Sequence, residues 1–500
     1  MASHSTGEKV FVDDEWSGKT TGFAQQEVGI GNVSDFDEFA ENKGLKRGLK
    51  QRHIQMIALA GTIGTGLFLT TGKALARGGP LGLFLAYSIV GILIAFVVMS
   101  MAELSALVPL SRGVVRLAEY FFDPALSFAQ GWNTVYATVV LLPAEMVASA
   151  ITVLGGLLLV SNFLFVRVYG ELEFVFAILK ILLVVGSIIM GICIDVGGSP
   201  SGHVYGFQFW NNPGPFVQYL GIPGSLGRFL GFWRVMASAS YAYSNVENFS
   251  RILIFYVLSI FVIGLIVPSN DPSISGAKNN AASSPYVIAA NRVGIKVSAA
   301  NSAMLGGSRI LYGLAYEGHA PKFFTKLNRF GIPWVAILSI GIFMALGYMT
   351  VDSTAAAVFE WLQDLVSAAS FVHWINIEIV YLRFYYGCKK QGIDRDELPW
   401  KGLLQPYGAW LALVSFSLLL LTGGFTSFIN GEWDPQTFVS NYFNIPLIFA
   451  LYFGYKFWKK TKIVPLDEMP IRHFMEIAQR NLEPPEKPGR GWRKLNILWG

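Results

Sequence analysis

Six consecutive residues, Gly61-Thr62-Ile63-Gly64-Thr65-Gly66, interrupt an apolar segment that runs from Ile54 to Ala60 before them and from Leu67 to Ala76 after them. Three glycines and two threonines are poor material for a helix interior. Backbone groups freed inside lipid need partners, so such a break is tolerated mainly where it lines a cavity or holds a ligand. The helix that resumes after the break offers unpaired N–H groups and the positive end of its dipole, a receptor for an anion. The alternative is a small-residue face packed against another helix. Charges inside apolar runs are the second chemical signal. Lys180 lies in the middle of the run Phe176 to Val185. A lysine there is costly unless it faces a cavity or a partner, and burial lets it release and rebind a proton. Its plainer reading is a structural ammonium capping helix carbonyls. Glu145, two residues after Pro143, and Glu247 are carboxylates able to carry a proton in apolar surroundings. Their plainer readings are a bond to a neighbouring helix and a surface position.

The rest of the chain must place these groups in a bilayer. Of 500 residues, 53% are hydrophobic and only 14% are charged, and the mean hydropathy is +0.46. A soluble chain is nearer a quarter charged. Apolar runs of spanning length recur, and Leu81 to Ala102 holds no charge, so the chain reads as a polytopic all-α membrane protein. Cys193 and Cys388 lie too far apart in sequence to suggest a disulfide or metal framework. There is no nucleotide loop, metal cluster or nucleophile triad, so neither an enzyme nor a bound cofactor or metal is expected, and nothing points to nucleic acid. The first 43 residues are rich in Asp and Glu and read as a disordered tail with no cleavable leader.

About twelve spans are expected, near 53–76, 80–107, 125–152, 154–166, 171–195, 229–249, 251–267, 297–316, 334–350, 355–382, 407–428 and 438–457. Basic residues then fall on one side: Lys46, Arg47 and Lys50; Arg112 and Arg116; Arg167; Lys322, Lys326 and Arg329; Lys389, Lys390 and Arg395; Lys459, Lys460 and Lys462. The positive-inside rule makes both termini cytoplasmic. Three regions are short. Leu154 to Val166 gives only about 20 Å of helix against a core of about 30 Å. Spans six and seven abut at Ser250-Arg251, and the eighth lacks its first half. Arg234, within span six, is unusual for an apolar helix. Glu360 and Asp364, one turn apart in span ten, are candidates to face a pathway, with Trp361 as a gate.

From Lys50-Gln51-Arg52-His53-Ile54 and Gly61 to Phe68 onward, the chain resembles the fungal amino acid permeases of the amino acid–polyamine–organocation superfamily. The likeness continues through Asp123-Pro124, Pro143-Ala144-Glu145, Arg167 to Glu171, Tyr241 to Glu247, Asn301-Ser302, Ser308 to Tyr312, Gly318 to Pro321 and Lys462 to Glu468. It covers about residues 44–470. The resemblance implies a leucine-transporter-like fold of two five-helix inverted repeats, about 53–195 and 229–383, plus two extra helices at about 407–457. The transporter domain would span 51–458, between cytoplasmic tails 1–50 and 459–500. Ser238 to Asn245 then interrupts span six where Gly61–Gly66 interrupts span one, the matched pair of breaks expected at a transport site. The family usually has a basic loop between spans six and seven, and fuller fourth and eighth spans, than this chain has.

The resemblance implies an amino acid substrate. Gly64, Thr65 and Gly66 are then assigned to its carboxylate. The carbonyls of Ile63 and of the loosened turn at Tyr241, Ala242 and Ser244 are assigned to its ammonium. Tyr241 and Tyr243 are candidates for the pocket wall or gate, or for ordinary packing. Lys180, Glu145 and Glu247 are the candidates for proton coupling, Lys180 by likeness to carriers in which a lysine replaces a sodium ion. The implied activity is proton-coupled import of amino acids across the plasma membrane, with the proton as coupling ion. Endocytosis through the ubiquitin machinery, acting on the tails, belongs to the same resemblance. An amino acid sensor without net transport, and a truncated inactive family member, are the competing readings.

Overall fold

A glycine at residue 79 decides how the apolar run after the first break is folded. In this computed structural model the described residues are 70–108, 114–147, 166–198, 202–244, 249–275, 284–292, 311, 314–315, 320–327, 333–342, 355–429 and 433–480. All lie in the unit Gly44–Gly500. Helix α1, Thr70–Leu107, is kinked at Gly79, whose φ is +74°. A side chain there would lie 2.6 Å from the carbonyl oxygen of Pro215, so only glycine fits. Pro80 has no N–H to continue the ladder, and Leu81 N–H donates instead to Pro215 O at 3.0 Å. The kink falls between the expected first and second spans.

Next come α2, Val114–Phe121, α3, Pro124–Val147, and α4, Val166–Asp195. Then follow α5, Gly224–Ala242, α6, Phe249–Ile266, α7, Pro285–Arg292, and α8, Trp334–Ile342. The chain continues through α9, Ala355–Lys390, α10, Tyr407–Thr422, α11, Pro435–Tyr442, α12, Asn444–Lys459, and α13, Ile471–Arg480. Regular structure among the described residues is helical, with one antiparallel bridge between Val196 and Val204. Among the described residues, three helical stretches, Thr70–Leu107, Ala357–Lys390 and Tyr407–Phe428, are long and apolar enough to cross a bilayer, and Phe255–Ile266 is a shorter apolar helix. The main core joins α1, α5, α6, α9 and α10 around Tyr87, Tyr256, Trp374 and Phe416, all fully buried.

Three boundaries differ from the sequence expectation. Span six was expected to run to residue 249 and abut the next. Instead α5 stops at Ala242 and α6 begins at Phe249, because Ser238 to Asn245 is small, polar and a weak helix former. Arg116, expected in a loop between the second and third spans, lies on a helix, α2. The last span divides at Phe443, after a short helix that Asp434 caps by accepting from Gln436 N–H and Thr437 N–H. The expected spans at 53–76 and 154–166 lie outside the described residues except for Thr70 to Ala76 and Val166. Of the piece at 297–316, only Leu311, Leu314 and Ala315 are described.

Candidate functional site

The end of α5 is the described half of the expected site. Ser238, Ser240, Tyr241, Ala242 and Tyr243 are all buried. The serine hydroxyls turn back on their own helix, Ser238 Oγ to Arg234 O at 3.1 Å and Ser240 Oγ to Ala237 O at 2.8 Å. The helix closes with Tyr243 N–H on Ser240 O at 3.2 Å and Ser244 N–H on Tyr241 O at 3.3 Å. Those are short-range turns, so the α-helical ladder is spent here. The end carries the partial negative charge of a helix C-terminus.

The two tyrosines part company. Tyr241 sets its ring edge-on to Phe359 at 6.0 Å, within a cluster of Val140, Ala144, Val358, Leu362 and Val366. Trp361, partly buried, packs against that same cluster, so the structure brings the expected gate and Tyr241 together. Tyr243 faces α1 and α6. Its hydroxyl donates to Tyr87 O at 3.2 Å, and its ring lies 6.1 Å from that of Tyr87 and 5.2 Å from that of Tyr256. Thr70 Oγ1 is 3.3 Å from Tyr87 Oη. Lys180 is half-buried on α4. Glu145 lies on α3, and its side chain is outside the described residues. Ile63, Gly64, Thr65, Gly66 and Glu247 also lie outside them.

A charge network sits at the start of α9. Glu360 Oε1 accepts from Lys73 Nζ and Arg77 Nη2 of α1, both at 2.8 Å. One turn later, Asp364 takes Arg234 Nη2 of α5 at 3.1 and 2.8 Å on its two oxygens. Asn441 of α11 donates to Asp364 Oδ2 at 3.0 Å, and Arg234 Nη1 donates to Gly423 O at 3.3 Å. The sequence flagged Arg234 alone, and Glu360 with Asp364 as a pair one turn apart. It passed over Lys73 and Arg77, whose spacing of four places them on one helix face. Elsewhere the four-residue spacing of Glu360 and Asp364 supplied the same signal. Among the described residues no group of His, Cys, Asp and Glu could hold a metal ion.

At the other end of α9 the polar groups are anchored differently. Glu103, near the end of α1, is fully buried and accepts from Arg395 Nε at 3.0 Å, Arg395 Nη2 at 2.7 Å, Tyr381 Oη at 3.0 Å and Gly402 N–H at 2.8 Å. Asp123, between α2 and α3, accepts from Ala125 N–H at 2.8 Å, Thr461 Oγ1 at 2.7 Å and Tyr452 Oη at 3.2 Å, and pairs with Lys456. Burial works to raise its pKa, but the bonds from Lys456, Ala125 and Thr461 together hold the carboxyl below its ordinary range.

The family profile described as amino acid permease matches residues 53–250 and 246–467. The match is thus in two pieces that meet where α5 gives way to α6. The chain is similar to the dicarboxylic amino acid permease of Saccharomyces cerevisiae, 33% identical over 89% of this chain and 82% of that one. It is equally similar to the proline-specific permease of Emericella nidulans, 33% identical over 92% and 94%. The first of these alignments runs over 500 positions while using 89% of this chain, so it holds positions for which this chain has no residue. A manganese transporter of Eremococcus coleocola superposes with a TM-score of 0.45 at 14% identity, over 90% of this chain and 98% of that one. With its apolar helices and a profile match across most of its length, this chain belongs to the amino acid permease family, a family of multi-pass membrane transporters and not of enzymes.

Proposed function

We propose that this chain is a proton-coupled importer of amino acids across the plasma membrane, with both termini in the cytoplasm. The observation that carries the reading is the end of α5 at Ala242. The helix stops inside the small, polar run that the sequence pairs with Gly61–Gly66, and a pair of interrupted helices is how such carriers hold a substrate. A substrate amino acid would lay its carboxylate on the N–H groups of Gly64, Thr65 and Gly66. Its ammonium would take the carbonyls of Ile63 and of the turn at Tyr241, Ala242 and Ser244, where the helix C-terminus favours a cation. Tyr243 would close one wall and Tyr241, with Trp361, the other. The arrangement would be the two five-helix inverted repeats with two further helices, here α10 and α11–α12. The acidic N-terminal tail would answer to the ubiquitin machinery.

Lys180 would move the coupling proton, with Glu145 and Glu247 as further carriers. Uptake of labelled amino acids into intact cells should collapse when a protonophore removes the proton gradient. Lys180→Met should leave the protein at the membrane but abolish the gradient dependence. Uptake that stayed fully proton-driven in this variant would refute the coupling role.

One observation favours a second reading, an inactive member lacking segments. The profile match breaks at 246–250, and the alignment to the S. cerevisiae relative contains positions that this chain does not fill. Transcript reads with extra codons near 153, 250 and 297, together with absent uptake by the present chain, would establish it. Continuous reads and proton-driven uptake would remove it.

A further inference from the structure

Arg234 is a charge for which the transport reading has no use. It lies on α5, two turns before the helix ends, with a side chain only 6% exposed. It is fixed on one side to Asp364 of α9 and on the other to Gly423 O at the end of α10. Asn441 of α11 holds the same carboxylate. The space between them, lined by Arg234, Asp364, Ser367, Phe371, Leu419 and Asn441, is water-sized and excludes an amino acid. The group is therefore a joint between helices and not a subsite. A guanidinium fork on a carboxylate fixes angle as well as distance, unlike a point charge. Asp364 is one turn from Glu360, so whatever fixes the rotation of α9 at Asp364 also fixes the direction of Glu360.

We infer that Arg234 is a positioning residue: by gripping Asp364 it holds α9 in the rotation that aims Glu360 at Lys73 and Arg77, and so sets how readily α1 separates from α9. Only the consequence for transport rests on the importer reading; the geometric claim does not. The joint also links α10 and α11 to that contact through Gly423 O and Asn441.

The test uses the full chain in membranes, with Cys193 and Cys388 replaced by Ala and Trp361→Cys as the sole thiol. The rate of labelling by a small membrane-permeant thiol reagent is read beside the KM and maximal rate of uptake in the parent chain. Arg234→Met should speed labelling roughly fivefold, within the range seen for coupled neighbours. It should shift KM more than the maximal rate, and Arg234→Lys should recover part of the change. Glu360→Gln should also speed labelling, and adding Arg234→Met to it should give no further gain. Unchanged labelling in Arg234→Met, or effects of the two substitutions that multiply, would overturn the inference. If Arg234→Met does not reach the membrane, Asp364→Asn combined with Glu360→Gln reads the same coupling. A chain without uptake in which Arg234→Met still adds nothing to the labelling gain of Glu360→Gln would sink the importer reading and leave the positioning role standing.

Discussion

The two ends of α9 hold their neighbours in opposite ways. At its first turns, one carboxylate oxygen of Glu360, on a side chain 28% exposed, is shared by two cations of α1. At its last turns, Glu103 is fully buried, and both its oxygens are used by donors from Tyr381, Arg395 and Gly402. The first contact is less buried and shares one carboxylate between two cations, so parting its helices costs less than parting the second. The second cannot be broken without stranding a buried charge. Around it, Ser100 Oγ donates to Glu378 at 2.7 Å, and Gln405 Nε2 donates to Ser100 Oγ at 2.8 Å and Phe96 O at 3.1 Å. The difference in burial makes the Glu360 end the easier of the two to part.

The largest expected effect tests the Glu103 end. Glu103→Ala removes the buried carboxylate that Arg395, Tyr381 and Gly402 all donate to and should destabilise the protein by about 3 kcal/mol or more. The check is a thermal unfolding curve on detergent-solubilised protein, together with membrane abundance. A loss no larger than that of Glu360→Gln would dissolve the contrast. Asp123→Asn is next, at about 2 kcal/mol, because it weakens the Lys456 pair and the cap on Ala125 N–H. Its pH dependence follows from the sign of the shift. The folded carboxyl titrates below its ordinary value, so its contribution is complete above the unfolded carboxylate range and fades as pH falls through the folded one. The gap in stability between the parent chain and Asp123→Asn should be full near about pH 7 and narrow below about pH 4. A gap that widened with acid would mean that the shift has the opposite sign.

Much of the helical architecture was legible because hydropathy acts locally, and small-residue composition marked where α5 ends, though Ser238 to Ala242 within that run are still helical. Charges were legible only as oddities. Arg234 stood out against its apolar neighbours, and Glu360 and Asp364 against theirs. Which cation meets which carboxylate depends on helices more than 100 residues apart in sequence, such as Arg234 and Asp364, and no local pattern encodes that. One relation was available and unused. Residues two apart on a helix point about 200° from one another, so Tyr241 and Tyr243 could not both line the same face of α5. The structure sends one to Phe359 and the other to Tyr87. The sequence carried span six on to residue 249, abutting the next at Ser250-Arg251, because the apolar run of Phe249 to Ile266 begins so soon after it.

The smallest effect is the finest test of the Glu360 end. Lys73 and Arg77 both bond to Glu360 Oε1 at 2.8 Å. Removing either one leaves the carboxylate with a partner. Lys73→Gln should therefore cost on the order of 0.5 kcal/mol or less in thermal stability. Arg77→Gln should cost about the same, and the double variant should cost more than the two single losses added together, because only then is Glu360 left without a cation. Strict additivity would mean that the two cations do not share Glu360, and the account of a cheap, redundant contact at this end of α9 would have to be given up. A large loss from Lys73→Gln alone would be as damaging, since it would make this end as rigid as the one built on Glu103.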